Sequence, residues 1–372
     1  MFARITNSPR NYSWGSTHAI ADLLGRVPSG QPEAELWLGD HAANSSVLTD
    51  TNEALSEVTG GRLPFLLKVL AAQSPLSLQV HPTIAQAIAG FERENGEGIA
   101  LDAPERNYKD ESAKPELIFA LSDEFRLLCG FRPVAAVQSI IAELRSVAPD
   151  ARSLEDWASR LQAGADIRPC VSWLVTDGDG VDTLIDDVVI AASGLEGEHF
   201  HLVGELAAAY PGDPGIVLSL MINLMTLKRG EVLFVDAGTI HSYLSGLGVE
   251  LMAPSDNVLR GGLTPKHLDA AELLSILDVN PSRVERLRPT ASDSASSVFA
   301  PMGSGISLTH ITSRTEVELS SDAIVLCTRG TFSLEGAHGR TVLSRGDSAF
   351  VSKDEGAITC DGDGELFLAM GA

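Results

Sequence analysis

The sequence has few cysteines and no long hydrophobic run. Four cysteines in 372 residues are scattered and never spaced as CxxC, which excludes a disulfide framework and a thiolate zinc site. We therefore expect four partly buried free thiols in a cytoplasmic protein. The longest apolar stretch, residues 216–227, is far shorter than the ~20 residues of a membrane span. No apolar region typical of a signal peptide follows the first residues.

Positive charge is also scarce. The chain has 27 Lys and Arg against 50 Asp and Glu, and a formal net charge of −23 at pH 7. A surface this acidic argues against nucleic acid and anionic membranes as partners, because both are negative themselves. It does not exclude a small anionic substrate in one local pocket. Only six residues are lysines, so a lysine beside a candidate site carries weight. We expect a monomer.

The first part of the chain predicts strands followed by helices. Short segments between glycines and prolines predict strands at residues 34–39, 63–71, 76–81 and 116–121. After Pro133, apolar residues recur with helical spacing. The predicted helices cover residues 134–144, 153–161, 181–192 and 200–209.

Strand patterns return in the second part. We expect a strand from Ile216, and a helix over residues 265–278 with Thr264 as its N-cap. Residues 290–297, rich in Ser and Ala, predict a linker, and the short strands from Ile306 onwards predict a small β barrel. The predicted domains are a β domain in two parts, a helical insertion and a C-terminal barrel, at residues 1–131 with 214–289, 132–213 and 290–372, respectively.

Two short segments offer metal ligands. On a strand, Gln79 and His81 share one face, so an amide oxygen and an imidazole can reach the same ion. Alone, this spacing is a weak signal. Glu116 opens the apolar strand at 116–121; by itself it is either a ligand or a solvated strand end.

A third segment is more specific. Gly230-x5-Asp236-x-Gly238-x2-His241 resembles the second motif of the cupin superfamily, with Asp236 at the usual proline position. In cupins this turn directs the histidine into a β barrel, towards ligands from earlier strands. Four N and O ligands without a thiolate suit a catalytic zinc or another divalent ion. In chain order the set is Gln79, His81, Glu116 and His241.

The segment after His241 is dense in ionisable residues and glycine. Arg260 precedes Gly261-Gly262, where backbone is accessible to a ligand. With these motifs the chain resembles the type I mannose-6-phosphate isomerase (phosphomannose isomerase) family over most of its length. The matching segments are residues 11–16, 34–39, 77–82, 114–117, 250–257 and 260–266.

The resemblance implies a fold, a cofactor and a reaction. It implies two cupin-type (jelly-roll) β barrels, the first metal-bearing, plus an α-helical domain. It places one Zn²⁺ per chain on Gln79, His81, Glu116 and His241, gives Arg260 a catalytic role, and implies interconversion of mannose 6-phosphate and fructose 6-phosphate. The turn at Gly346 has the cupin rhythm without a following histidine, so the C-terminal barrel is expected to lack metal.

Aldose–ketose isomerisation moves a proton between C1 and C2 through a cis-enediol(ate). Glu250 and Asp256 are the candidates for the base, and we leave the choice open. Arg260 is the candidate for holding the developing oxyanion. Lys114, Lys266 and Ser77 are candidate phosphate ligands. Trp14 and Tyr243 either line the sugar pocket or serve only in packing; we interpret Glu35 and Trp37 as packing with a satisfied polar neighbour.

One further histidine motif and two alternative functions remain to be weighed at this point. His199 and His201 form an HxH pair at the start of a predicted helix, where residues i and i+2 do not share a face, so we predict no metal there. The enzyme could instead be a cupin isomerase or epimerase acting on another phosphosugar. A non-catalytic carbohydrate-binding cupin is the second alternative function, and the intact ligand set disfavours it.

Overall fold

The chain is described by a computed structural model that covers residues 1–162, 164, 166–282 and 284–371. The prediction of a mainly β protein with a helical block is confirmed. The described residues contain no helix that is both long and apolar enough to cross a membrane. The four cysteines are buried and free.

The strands form two antiparallel sheets. In chain order they are β1 (Phe2–Thr6), β2 (Glu35–Leu38), β3 (Val47–Leu48), β4 (Leu66–Ala72), β5 (Leu78–Val80), β6 (Glu116–Ala120), β7 (Glu124–Phe131), β8 (Ile222–Lys228), β9 (Val232–Val235), β10 (His241–Met252), β11 (Leu259–Gly262), β12 (Ala291–Ser292), β13 (Ser296–Phe299), β14 (Ile306–Ile311), β15 (Thr315–Glu318), β16 (Ala323–Glu335), β17 (Arg340–Ser344), β18 (Ser348–Val351) and β19 (Ala357–Gly371).

Six of the ten helices in the described part of the chain, α4–α9 in the numbering that follows, stand between β7 and β8 in the chain. They are α1 (Ala19–Leu23), α2 (Leu55–Thr59), α3 (Ile84–Gly96), α4 (Val134–Val147), α5 (Arg152–Arg160), α6 (Arg168–Val175), α7 (Val181–Ala192), α8 (Glu198–Ala209), α9 (Gly215–Met221) and α10 (Ala270–Ile276), and a 3-10 turn covers Lys353–Glu355.

Strand β10 organises the first sheet, which contains β2 and β4–β11. Its twelve residues pair with β5 and β7 at one end and with β4 and β6 at the other. All seven residues of β4 are buried, as expected for a central strand with both faces covered. Segments far apart in the chain therefore meet on β10.

The second sheet contains the C-terminal strands and two strands from the N-terminus. β1 pairs with β18, and β3 pairs with β1. Strand pairing thus crosses the expected boundary between residues 1–131 and 290–372. The domain limits stay a prediction, as does the closure of each sheet into a jelly-roll barrel.

The helical block packs against the first sheet through an apolar core. In α4 the buried positions are Val137, Ile140, Ile141 and Leu144, which is the helical spacing seen in the sequence. These residues belong to one core cluster with Leu78 and Val80 of β5. The strand between Ser77 and His81 is therefore held by the helical block as well as by the sheet.

Two predicted elements are wrong in type or position. Residues Gly215–Met221 form α9 rather than a strand; all seven are buried, so no apolar–polar periodicity marks the helix. The predicted helix at 265–278 begins only at Ala270, where the Asp269 side chain accepts from the Glu272 N–H. Thr264 instead accepts from the Lys266 N–H in a turn.

The expected linker at 290–297 is only partly irregular. It contains β12 and the first residues of β13, which pair as a hairpin. Serine-rich composition is a weak guide here, because hairpin edges tolerate small polar residues.

One buried carboxylate joins the two sheets. Glu365 of β19 accepts from Arg229 Nη2 at 2.8 Å, from Thr328 Oγ1 at 2.9 Å and lies 3.2 Å from His310 Nε2. Arg229 belongs to the turn between β8 and β9 of the first sheet. Burial opposes ionisation of Glu365, but the bond from His310 and the charge of Arg229 outweigh it, so the pKa of Glu365 lies below its usual value.

Replacing Glu365 by glutamine should weaken this junction. We expect E365Q to lower the free energy of unfolding by about 1–3 kcal/mol at pH 7, because the buried donors lose a charged acceptor. The fold stabilises the ionised form, so the contribution is complete above the ordinary carboxyl pKa of ~4.3 and is lost as pH falls through the lower folded-state value. Urea unfolding measured from pH 7 to pH 3.5 should show the difference shrink.

Glu316→Gln is the matched control, because Glu316 is exposed on β15. It should unfold like the parent protein at every pH. Equal stability of E365Q and the parent protein at pH 7 would show that the junction contributes nothing.

Candidate metal centre and substrate cavity

Three buried metal-ligating side chains meet on the first sheet. His81 Nε2 lies 3.3 Å from Glu116 Oε1, and His241 Nε2 lies 3.3 Å from Glu116 Oε2. The potential ligand atoms of all three residues lie within 4.8 Å of one another. Among the described residues, this is the one group of three or more His, Cys, Asp or Glu side chains with such geometry.

The fold brings these ligands together through β10. His241 is the first residue of β10 and is the cross-strand neighbour of Gln79 on β5. Glu116 opens β6, which pairs with the other end of β10. His81 follows β5 directly, and its carbonyl accepts from the Gly238 N–H in the turn before His241. The ligands predicted from the sequence are therefore neighbours in space.

Hydrogen bonds orient both imidazoles towards Glu116. His81 Nδ1 lies 2.8 Å from the carbonyl oxygen of Asn257, and His241 Nδ1 lies 3.0 Å from that of Thr239. A carbonyl oxygen only accepts, so each Nδ1 carries a proton, and in the neutral ring Nε2 then presents a lone pair. His81 Nε2 is buried without a hydrogen-bond partner. Two lone pairs facing a carboxylate fit a cation between them.

The protonation states agree with this reading. Burial and the nearby Lys114 ammonium lower the pKa of His81 to about 4, so its ring is neutral at pH 7. Burial raises the pKa of Glu116, but the Lys114 ammonium outweighs it and holds that pKa well below its usual value. Lys114 Nζ lies 3.0 Å from Glu116 Oε1.

Gln79 completes the predicted ligand set. Its Nε2 donates to Ser77 Oγ at 3.3 Å, which leaves the amide oxygen as the free acceptor. Gln79 lines a small cavity together with Glu116 and His241. One amide oxygen, two imidazole nitrogens and one carboxylate suit zinc without a thiolate.

A cavity of about 320 Å³ opens beside these ligands. Seven of the residues predicted from the sequence line it: Trp14, Ser77, Gln79, Lys114, Asp256, Arg260 and Lys266. Arg260 is the cross-strand neighbour of Gln79, and burial lowers its pKa. Lys266 is exposed on the rim, whereas Lys114 contacts the ligand Glu116 directly, so cationic groups lie both at the rim and beside the ligand cluster.

Glu250 and Tyr243 line an adjoining cavity of about 50 Å³ rather than the larger one. Both side chains are buried. Burial, with the carboxylates of Glu250 and Glu116, raises the pKa of Tyr243 well above its usual value, and its hydroxyl has no hydrogen-bond partner.

Lys68 is the functional candidate that sequence reasoning missed. Its Nζ lies 3.2 Å from Glu250 Oε2 and 3.7 Å from Glu35 Oε2, and 5.0 Å from the Trp37 ring centroid. Burial opposes its charge, but Glu35 and Glu250 outweigh it and raise its pKa. Lys68 lines both cavities.

A sequence signal for Lys68 was present. It is one of only six lysines and the only charged residue in the fully buried strand β4, where an unpaired charge is costly. Glu35, interpreted as a packing residue, also accepts from Trp37 Nε1 at 2.6 Å and lines both cavities.

One carboxylate holds the loop that carries Asp256. Asp110 accepts through Oδ1 from Ser255 Oγ at 2.8 Å and from Asn257 Nδ2 at 3.1 Å, and through Oδ2 from the Asp256 N–H at 2.9 Å. Asn257 is the residue whose carbonyl oxygen holds His81. Asp110 therefore supports both a metal ligand and a residue of the cavity wall.

Two other features do not suit the same chemistry. A larger cavity of about 710 Å³ lies elsewhere; among the described residues that line it are Glu111 and Asp236, but no Lys, Arg or His, so it does not suit an anionic ligand. His199 and His201 lie on α8, as predicted, and outside the ligand cluster.

The amino-acid sequence is similar to known isomerases. Residues 2–134 match the family described as phosphomannose isomerase type I, catalytic domain. Mannose-6-phosphate isomerase from Salmonella typhimurium (strain LT2) is 36% identical, covering 98% of each chain. The Escherichia coli (strain K12) protein of that name is 34% identical over the same share. The Homo sapiens protein is 30% identical over 93% of this chain and 92% of its own.

The fold is similar to solved structures of the same kind. A crystal structure of mannose 6-phosphate isomerase from Salmonella typhimurium, bound to fructose 6-phosphate and zinc, superimposes with a TM-score of 0.89 at 32% identity. A mannose 6-phosphate isomerase bound with zinc and yttrium gives a TM-score of 0.90 at 31% identity. Each comparison covers 100% of this chain and 99% of the other.

Replacing Asp110 by asparagine should weaken metal binding without touching a ligand. The asparagine would present an NH₂ group to donors that Asp110 now accepts from, so the Asn257 carbonyl that holds His81 would shift. Loss of such an outer contact typically costs about 10–100-fold in metal affinity. We expect a loss in this range for zinc, measured by competition with a chromophoric chelator.

Asp293→Asn is the control for this variant. Asp293 also accepts from backbone N–H groups, those of Ala295 and Ser296, but it lies in the hairpin between β12 and β13. Its zinc affinity should equal that of the parent protein. An unchanged zinc affinity in D110N would contradict the role given to Asp110.

Proposed function

The chain belongs to the type I phosphomannose isomerase family, and we propose how its residues divide the work of that reaction. The protein is a zinc-dependent aldose–ketose isomerase that interconverts mannose 6-phosphate and fructose 6-phosphate. The observation that carries this function to the present chain is the pair of imidazole lone pairs directed at Glu116, beside a cavity with cationic side chains.

The metal site would be built from Gln79, His81, Glu116 and His241. A divalent ion with one carboxylate ligand keeps one net positive charge, and zinc there supplies Lewis-acid polarisation of substrate oxygens. The neutral Gln79 preserves that charge, and the bonded carbonyl oxygens of Asn257 and Thr239 keep both rings in the ligating tautomer.

The residues that line the cavity determine how the substrate is oriented in it. Lys266 is exposed at the rim of the cavity, where its ammonium can pair with a phosphate. We assign the phosphate to Lys266, Ser77 and this rim. Lys114 contacts Glu116, so we place it near the reacting carbons rather than at the phosphate. Trp14 stacks on Tyr12 with 5.7 Å between centroids and forms a wall for the sugar.

We propose Asp256 as the group that transfers the proton. Its carboxylate is 45% exposed and lines the larger cavity, whereas Glu250 faces Lys68 in the smaller one. Burial and the carboxylates of Glu116 and Glu35 raise the pKa of Glu250 against the opposing charge of Lys68. A base must reach the substrate proton within hydrogen-bond distance, and the lining of the larger cavity supports Asp256.

Arg260 would stabilise the oxyanion of the enediolate. It carries a permanent charge, it lines the cavity, and it lies opposite Gln79 in the strand register. Donors that are already aligned where charge develops stabilise a transition state without reorganisation.

Other assignments fit less well. A non-catalytic sugar-binding protein needs no complete ligand cluster beside an Arg and a carboxylate. Another phosphosugar would contact the same cationic rim, so the cavity alone does not identify the substrate. The substrate class follows from family membership. We also propose that the protein is a cytoplasmic monomer without nucleic acid or membrane partners, supported by its four free thiols and net charge of −23.

The first test separates metal binding from catalysis. The zinc-loaded protein should convert mannose 6-phosphate to fructose 6-phosphate, lose activity on chelation and regain it with zinc. His241→Ala should lose both zinc and turnover. Arg260→Ala should keep its zinc, measured by elemental analysis, while kcat falls about 10²–10³-fold as expected for a lost oxyanion donor.

Two outcomes would overturn this division. A zinc-loaded parent protein without turnover would refute the function. Loss of zinc in R260A would show that Arg260 supports the metal site instead.

The second test compares the two carboxylates. Asp256→Asn should lower kcat about 10²–10⁴-fold with little change in KM, the usual cost of a lost general base. Glu250→Gln keeps the size of the side chain and leaves Lys68 with Glu35, so we expect a much smaller loss. The readout is kcat together with exchange of the substrate C2 deuterium into water, and the reverse order of the two variants would assign the base to Glu250.

A further inference from the structure

The helical block contributes to the wall of the substrate cavity. Tyr210, the residue that ends α8, lines the cavity. Its hydroxyl donates to the carbonyl oxygen of Pro75 at 2.8 Å, two residues before Ser77. The segment that leaves α8 therefore lies against the segment that enters β5.

Asp213, three residues further on, bonds to the opposite wall. Its Oδ1 accepts from the Gly215 N–H at 2.7 Å, and its Oδ2 accepts from the Thr264 N–H at 3.3 Å. The first bond begins α9, but the second joins the helical block to the chain between Arg260 and Lys266. A side chain of the helical block thus contacts the segment that carries both cationic residues.

That loop has an unfavourable backbone. The pairing of β11 with β5 is irregular between Arg260 and Gly262, as at a bulge. Gly262 has φ +134°, and the next residue, Leu263, has φ +55° although it is only 1% exposed. Positive φ brings the leucine Cβ against its own backbone carbonyl. Such a conformation persists only where the surroundings enforce it.

The surroundings that enforce it are Asp213 and its neighbour Gly215. A Cβ on Gly262 would lie 2.8 Å from Asp213 Oδ1 and 3.0 Å from Gly215 Cα. A Cβ on Gly215 would lie 2.9 Å from Leu263 Cγ. The two segments of the chain therefore touch with no space for a methyl group. The hydrogen bond from the Thr264 N–H to Asp213 adds to this contact.

We propose that Asp213 is a positioning residue that clamps the Arg260–Lys266 loop in its strained conformation. Because Arg260 and Lys266 flank the strained residues and line the cavity, the clamp sets the position of Lys266, which receives the substrate phosphate, relative to Arg260. The helical block is then a determinant of phosphate affinity and not only a packing unit. This inference rests on the proposed function, which places the phosphate at that rim.

Asp213→Asn tests the clamp at constant side-chain volume. The amide loses one acceptor and the charge, so the loop can relax. We expect KM for mannose 6-phosphate and the competitive inhibition constant of inorganic phosphate to rise together by about tenfold, the scale of one lost hydrogen bond. Zinc content should be unchanged, because the clamp touches no metal ligand.

Gly262→Ala disturbs the same contact by steric force and should shift both constants in the same direction. It keeps the proposal testable if D213N folds poorly. Asp187→Asn is the control, since Asp187 accepts from Ser153 Oγ within the helical block and faces no part of the loop. Its phosphate inhibition constant should match that of the parent protein.

The results separate the clamp from the function beneath it. A parent protein without isomerase activity would refute the proposed function. An active parent protein, with D213N and G262A that melt at lower temperature but keep the parent inhibition constant for phosphate, would reduce Asp213 to a structural role and overturn the proposal.

Discussion

The structure depends on one electrostatic constraint: two imidazole nitrogens and a carboxylate are held together in buried positions. His81 and His241 both present Nε2 to Glu116 at 3.3 Å, and all three side chains are buried. Like-signed groups converge in this way only when rigid neighbours hold them and a cation compensates them. Backbone carbonyl oxygens hold both rings, and Lys114 contributes the nearest positive charge.

The rest of the fold holds these three residues in place through successive sets of contacts. Strand β10 pairs with the strands that carry the other ligands, so its position sets theirs. Asp110 then holds the loop of Asn257 and Asp256, which ties the metal side of the site to the substrate side. The buried row of Trp37, Lys68 and Glu250 on neighbouring strands places a paired charge behind the cavity. In each set of contacts, strand register or hydrogen bonds align side chains that are far apart in the sequence.

The difference between local sequence patterns and contacts between distant segments explains what could be predicted from the sequence. The metal ligands could be predicted because they stand at characteristic short spacings, such as Gln79 with His81 or the glycine turn before His241, which are visible in the sequence alone. Lys68 was missed because its role exists only through pairing with residues on other strands. α9 was missed because a helix buried on every side shows no periodicity. Thr264 looked like a helix cap because its contact with the distant Asp213 and the cap at Asp269 are not visible in the local sequence.

The charge of the chain is consistent with this arrangement. A net charge of −23 would repel a phosphosugar if it were spread evenly, but four of the 27 basic residues, Lys68, Lys114, Arg260 and Lys266, line one cavity. Electrostatic attraction falls off within about 10 Å at 0.1 M salt, so the charges that line the cavity, these four and the carboxylates of Glu35 and Asp256, act on a bound ligand more strongly than the distant acidic surface. The acidic exterior disfavours large polyanions, and the cavity admits a small one. Selectivity for a small phosphosugar therefore follows from where the few positive charges lie, and not from their number.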